Sequence, residues 1–161
     1  MRALLAIIAG ILLTASCLGQ APGTVLPSVE IAPVGRVQLR PGATVKIDLD
    51  FRVGEGFHIN SNKPKSELLI PTVLKLNAPS PLTVADLQYP AGEDQTFPFS
   101  PKEKLNVYSG DFRINLALKA PANATAGTYP VKGELRYQAC DRNACYPPRS
   151  MPVEFQVTVV K

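Results

Sequence analysis

An all-β, immunoglobulin-like antiparallel sandwich is the fold this sequence predicts, and three observations predict it. Residues 45–53 alternate apolar and charged side chains without a fault, the pattern of a strand with one buried and one wet face. The same period of two returns at 112–119, 131–138 and 153–159. The chain also carries 16 prolines in 161 residues, roughly double the average share, which disfavours a helical bundle and suits short strands joined by stiff turns. At 45% apolar residues it is long enough for one domain with a core.

The chain begins with an export label. Arg2 precedes an uncharged apolar run over residues 3–13 and then small and polar residues, the order of a secretory signal over 1–19. The run is too short to span a bilayer as a mature helix. Two cuts fit: one after Gly19, and one before Cys17, where Leu13-Thr14-Ala15-Ser16-Cys17 resembles a bacterial lipobox with an unfavourable Thr14. The second makes Cys17 a lipidation site and the chain's only membrane attachment. Either cut exports the domain to an oxidising compartment and removes Cys17 from the free thiols, leaving Cys140 and Cys145.

Residues 20–33 hold three prolines and little pattern, and read as a linker or loosely tied arm; 34–161 form the domain. Its shorter strand candidates are 34–39, 72–76, 84–89 and 105–108. With the four clean alternations they give seven or eight strands between Pro, Gly and Asn turns. An antibody-type sandwich packs a Trp against a disulfide joining distant strands. This chain has no Trp, and its two cysteines lie five positions apart.

Asp141-Arg142-Asn143-Ala144 is a four-residue turn that brings Cys140 and Cys145 opposite each other at the mouth of a hairpin. A non-hydrogen-bonded antiparallel pair holds its Cα atoms about 4.5 Å apart, which allows a disulfide. Extending the alternation puts Val131, Leu135, Tyr137 and Ala139 inward and Lys132, Glu134, Arg136, Gln138 and Cys140 outward, so Cys140 is expected to lean away from the main core. Closing so small a loop removes only about 2 kcal/mol of unfolded-chain entropy. Arg136, Arg142 and Arg149 favour a thiolate nearby, and Asp141 opposes one. A redox-active pair and a purely structural hairpin bridge both satisfy these features. The spacing is not the Cys-x-x-Cys of a thioredoxin-type helix start.

Other chemistries fit less well. The excess of 17 Lys and Arg over 13 Asp and Glu is spread without a basic run, which argues against nucleic acid as a partner. His58 is the only histidine, which excludes a two-His copper site and a Cys2His2 zinc site. A Cu(I) site from Cys140, Cys145 and Met151 is chemically reasonable but has no further support, and no metal is expected. Nothing local supplies an oxyanion hole for a Cys–His58 hydrolase. The expectation for His58 is a satisfied or solvated side chain, with a place lining the cysteine pocket as the alternative. Asn123-Ala124-Thr125 reads as a turn.

Tyr137-Gln138-Ala139-Cys140, a short insert and Cys145-Tyr146-Pro147-Pro148 resemble the cysteine motif of the N-terminal periplasmic domain of the thiol:disulfide interchange protein DsbD. Gly56-Phe57-His58-Ile59-Asn60-Ser61-Asn62-Lys63-Pro64 is similar to an early segment of that family, and the likeness runs loosely over 34–160. The resemblance implies an immunoglobulin-like domain whose cysteines cycle between dithiol and disulfide without a metal or organic cofactor. Electrons would come from a membrane or thioredoxin-like reductase and pass to oxidised periplasmic proteins. By position, Cys145 matches the cysteine that forms mixed disulfides and Cys140 the one that resolves them. The family shields its pair with an aromatic cap loop, which implies Phe97 or Phe99 here, within residues 91–100. The four-residue insert is shorter than in the best-known members. With no reductase domain between the hairpin and Lys161, the expected reductant is another polypeptide. The rival expectation is a non-catalytic immunoglobulin-like interaction module whose bridge shapes a binding loop.

Overall fold

The computed structural model describes residues 28–161, so the signal segment 1–19 and Cys17 lie outside the described residues. In chain order the strands are β1 (Val29–Ile31), β2 (Val37–Leu39), β3 (Thr44–Val53), β4 (His58–Asn60), β5 (Val73–Asn77), β6 (Thr83–Gln88), β7 (Glu93–Phe97), β8 (Ser100–Tyr108), β9 (Asp111–Lys119), β10 (Gly127–Tyr137), β11 (Ala139–Cys140) and β12 (Arg149–Val159). They form three four-stranded sheets, ordered β1-β3-β9-β6, β2-β12-β10-β5 and β11-β4-β8-β7. The first two are the faces of an immunoglobulin-like sandwich. Pairing is antiparallel throughout, apart from β2 beside β12.

The core lies where the alternation places it. Leu49, Ile114, Leu116 and Leu118 from the first sheet pack with Val131, Leu135, Val153 and Val157 from the second in one buried cluster. The charged positions between them stay wet. On the first sheet's outer face Arg113 bridges Asp48 and Asp50, and Arg52 pairs with Asp111. Exposed pairs of this kind contribute little to stability.

All eight strands expected from the sequence form. Four more appear: β1, β4, β7 and β11. β1 corrects the reading of an arm for residues 29–31, because Val29 is buried and the strand is laddered onto β3, while 20–27 lie outside the described residues. The other three supply most of the third sheet. That sheet grows from the ends of the other two: β4 and β8 extend the β3–β9 ladder past a bend, while β10 gives way to β11 at Gln138. At the bend, Gly110 takes a φ of +60° and its carbonyl accepts a hydrogen bond from the Val53 amide at 2.8 Å. That conformation is open to glycine at no steric cost.

Gly133 in β10 faces β5 so closely that a Cβ there would overlap the Lys75 carbonyl and the Leu76 backbone. Backbone cannot swing aside as a side chain can. Gly133→Ala is expected to cost about 1–3 kcal/mol, read as a lower urea midpoint at unchanged m-value.

Candidate functional site

The cysteine hairpin has the expected register. The Asp141 amide donates to the Ala144 carbonyl at 2.9 Å and the Tyr146 amide to the Ala139 carbonyl at 2.8 Å. These bonds flank Cys140 and Cys145 as a non-hydrogen-bonded pair, with Cα atoms 3.9 Å apart and a disulfide between them.

Asp141 organises the turn. Its Oδ1 accepts the amides of Asn143 at 2.7 Å and Ala144 at 2.9 Å, and its Oδ2 accepts the Tyr146 hydroxyl at 2.8 Å. The Asn143 amide, the Tyr146 hydroxyl and the Ala144 amide hold the carboxyl below its ordinary range. Reciprocally, the hydrogen bond to Asp141 raises the Tyr146 phenol. The Tyr146 ring meets Phe57 edge-on at 5.9 Å.

Gln138 ties this hairpin to the body. Its Nε2 donates to the Tyr146 carbonyl at 3.2 Å, and its Oε1 accepts Asn60 Nδ2 at 3.2 Å. Its main-chain carbonyl accepts the Asn60 amide at 3.3 Å. Asn60 Nδ2 also donates to the Ile70 carbonyl at 3.0 Å, and the Thr72 hydroxyl donates to the Asn60 carbonyl at 2.6 Å.

The two cysteines sit in different environments. Cys140 is 0% exposed, whereas Cys145 is exposed. Cys140 does lean away from the main core, as expected, but that face is covered rather than wet. Tyr137 and Ala139 still face the main core with Ile59, while Cys140 pairs with His58 on the other face of β4. His58, directly across from Cys140, is neither solvated nor satisfied. It is 4% exposed, and its Nε2 has no hydrogen-bond partner. Burial lowers its pKa from 6.5 to about 4, with attraction to Asp141 opposing the shift.

The hairpin of β7 and β8 covers this imidazole. Phe97 stacks on His58 with ring centroids 3.8 Å apart and planes 12° apart. Phe99 lies parallel beyond, 5.6 Å from Phe97 and 6.4 Å from His58. Phe97, Leu105 and Val107 form a second apolar cluster with Leu69 and Phe99 against it. At the hairpin's base, Asn106 Nδ2 donates to the Gly92 carbonyl at 3.1 Å and to Asp94 Oδ1 at 2.8 Å, and Lys65 pairs with Asp94.

The structure therefore brings Cys140, Cys145, His58, Phe97 and Phe99 into one neighbourhood. Sequence reasoning missed Asn60 and underrated His58; the one available signal was that both stand in the segment 56–64. Among the described residues, no three His, Cys, Asp or Glu side chains converge as metal ligands.

Fold and site together define a β-sandwich domain with a half-buried disulfide hairpin under an aromatic hairpin. The sequence matches the family described as thiol:disulfide interchange protein DsbD, N-terminal, over residues 27–156, and the chain belongs to that family. The reduced DsbD N-terminal domain of Neisseria meningitidis is similar over 74% of this chain and 86% of its own, with 21% identity and a TM-score of 0.46. A structure of the complex between the DsbD and PilB N-terminal domains of that organism matches over 68% and 73%, with 23% identity and a TM-score of 0.44. A type I cohesin of Pseudobacteroides cellulosolvens matches over 82% and 92%, with 11% identity and a TM-score of 0.49. Curated proteins give no match.

Because the folded state holds His58 neutral, unfolding takes up a proton at acid pH. The stability from that neutral burial is complete above about 6.5 and is lost as pH falls toward about 4. Phe97→Ala wets one face of the ring. It is expected to move the imidazole midpoint, followed by NMR, from about 4 toward 6.5, and to flatten the acid limb of stability. A midpoint unchanged in the variant contradicts the shielding argument.

Proposed function

We propose that this domain passes reducing equivalents through the Cys140–Cys145 pair to partner proteins. One observation carries the reading: a single disulfide joins an exposed residue, Cys145, to a fully buried one, Cys140. Exchange requires attack on or by a sulfur that a partner can reach, followed by a second sulfur close enough to release it. In the reduced domain the Cys145 thiolate attacks a partner disulfide, forming a mixed disulfide and expelling the first partner thiolate. Cys140 then attacks Cys145, the mixed disulfide breaks, and the partner leaves with both its sulfurs reduced. The domain retains the Cys140–Cys145 disulfide until a reductase, of membrane or thioredoxin-like type, returns two electrons.

Phe97 serves as the lid over the pair's buried side, with Phe99 behind it. The chemistry belongs to the extracytoplasmic side, where a signal over 1–19 would deliver the domain and a lipid on Cys17 would hold it. No helix among the described residues is long and apolar enough to cross a membrane.

Mass analysis after brief exposure of reduced protein to glutathione disulfide separates the roles. Wild type is expected to return to the intramolecular disulfide, Cys140→Ser to accumulate one glutathione adduct at Cys145, and Cys145→Ser to remain reduced. A Cys145→Ser variant that reacts as fast as wild type, or a Cys140→Ser variant with no adduct, assigns the bridge to a structural role in an interaction module.

A further inference from the structure

The relay leaves one buried polar group unused. His58 lies across the ladder from Cys140, and directly opposed residues have Cβ atoms about 4.5–5.5 Å apart on one face. The His58 Nε2 is enclosed and has no partner while the cysteines are joined. A disulfide sulfur has no proton to offer, whereas the Cys140 thiol of a mixed disulfide does.

Resting on the relay reading, we propose that His58 is the base that deprotonates Cys140 when the mixed disulfide is resolved. The thiol proton moves to Nε2, and the Cys140 sulfur attacks Cys145. The bond from Cys145 to the partner breaks, and the partner leaves as a thiolate carrying the electron pair. The imidazolium then returns its proton to the departing thiolate or to water. No other oxidant or reductant takes part.

The surroundings fit this task. A thiol as buried as Cys140 resists ionising by itself. β11 presents Cys140 to the ring, the cap presents the uncharged rings of Phe97 and Phe99, and the turn supplies the Asp141 carboxylate, which favours the transient imidazolium. The imidazole is neutral throughout the physiological range and so has a lone pair free, and the Asp141 carboxylate offsets part of the cost of charging a ring that burial makes a weak base.

Reduced protein mixed with 5,5′-dithiobis(2-nitrobenzoate) reports both steps: a first thionitrobenzoate is released as Cys145 attacks and a second as Cys140 resolves the adduct. Wild type is expected to show a second phase nearly independent of pH between 6 and 8. His58→Phe keeps a ring for Phe97 to stack on. It should leave the first phase within about twofold and slow the second by about tenfold or more at pH 7, a loss at or below the usual range for a general base. Its second phase should also regain a steep rise with pH, as for an unassisted thiol. A second phase in His58→Phe equal to wild type overturns the proposal. Should that variant not fold, a wild-type second phase rising about tenfold per pH unit overturns it equally, as expected for a thiol of ordinary pKa. Absence of any second phase in wild type overturns the relay reading itself.

Discussion

The structure depends on the two-residue pairing of β11 with β4. Through it Ala139 and Cys140 leave the sheet that β10 belongs to and lie against Ile59 and His58. The alternation of β10 turns Cys140 away from the main core, and the new partner sets it beside His58 under the β7–β8 hairpin instead of on a wet face like that of Arg136. With it, one cysteine is sealed and the other stays at the surface. Gln138 makes the change affordable for the backbone, since its side chain and carbonyl meet Asn60 and Tyr146 where the regular ladder is interrupted.

Magnitudes separate scaffold from site. Fully buried side chains such as Leu135 and Leu116 each hold the sandwich by about 2–5 kcal/mol on truncation. The stack of Phe97 on His58 adds only about 0.5–1.5 kcal/mol beyond its area, and the small disulfide loop about 2 kcal/mol. The two sheets therefore form a stiff frame, and the contacts around the sulfurs are the weak ones. That division suits a site that has to admit a partner without loosening the fold.

The four strands with clean alternation, β3, β9, β10 and β12, were legible because their inward and outward residues differ in polarity. β3 is the plainest case, with Ile47, Leu49, Phe51 and Val53 buried between charged neighbours. The third sheet was illegible for the same reason in reverse. All three residues of β4 are buried, so it carries no alternation; β7 is polar until Phe97, and β11 is two residues long. The hairpin register could be read from the five-residue spacing of the cysteines, since local geometry decides it. Burial of Cys140 could not, because it depends on His58, which lies 82 positions earlier and meets it through long-range pairing. Resemblance to the family marked both cysteines and offered Phe97 or Phe99 as the cap, while the contact between Phe97 and His58 emerged only in three dimensions.

Equilibrating the Cys140–Cys145 pair against a graded glutathione or dithiothreitol series, read by thiol alkylation and mass, tests the central claim most directly. A relay with one exposed cysteine is expected to titrate within about −120 to −270 mV and to reach equilibrium quickly. A bridge that stays oxidised beyond about −300 mV would contradict the account and mark the disulfide as a structural clasp.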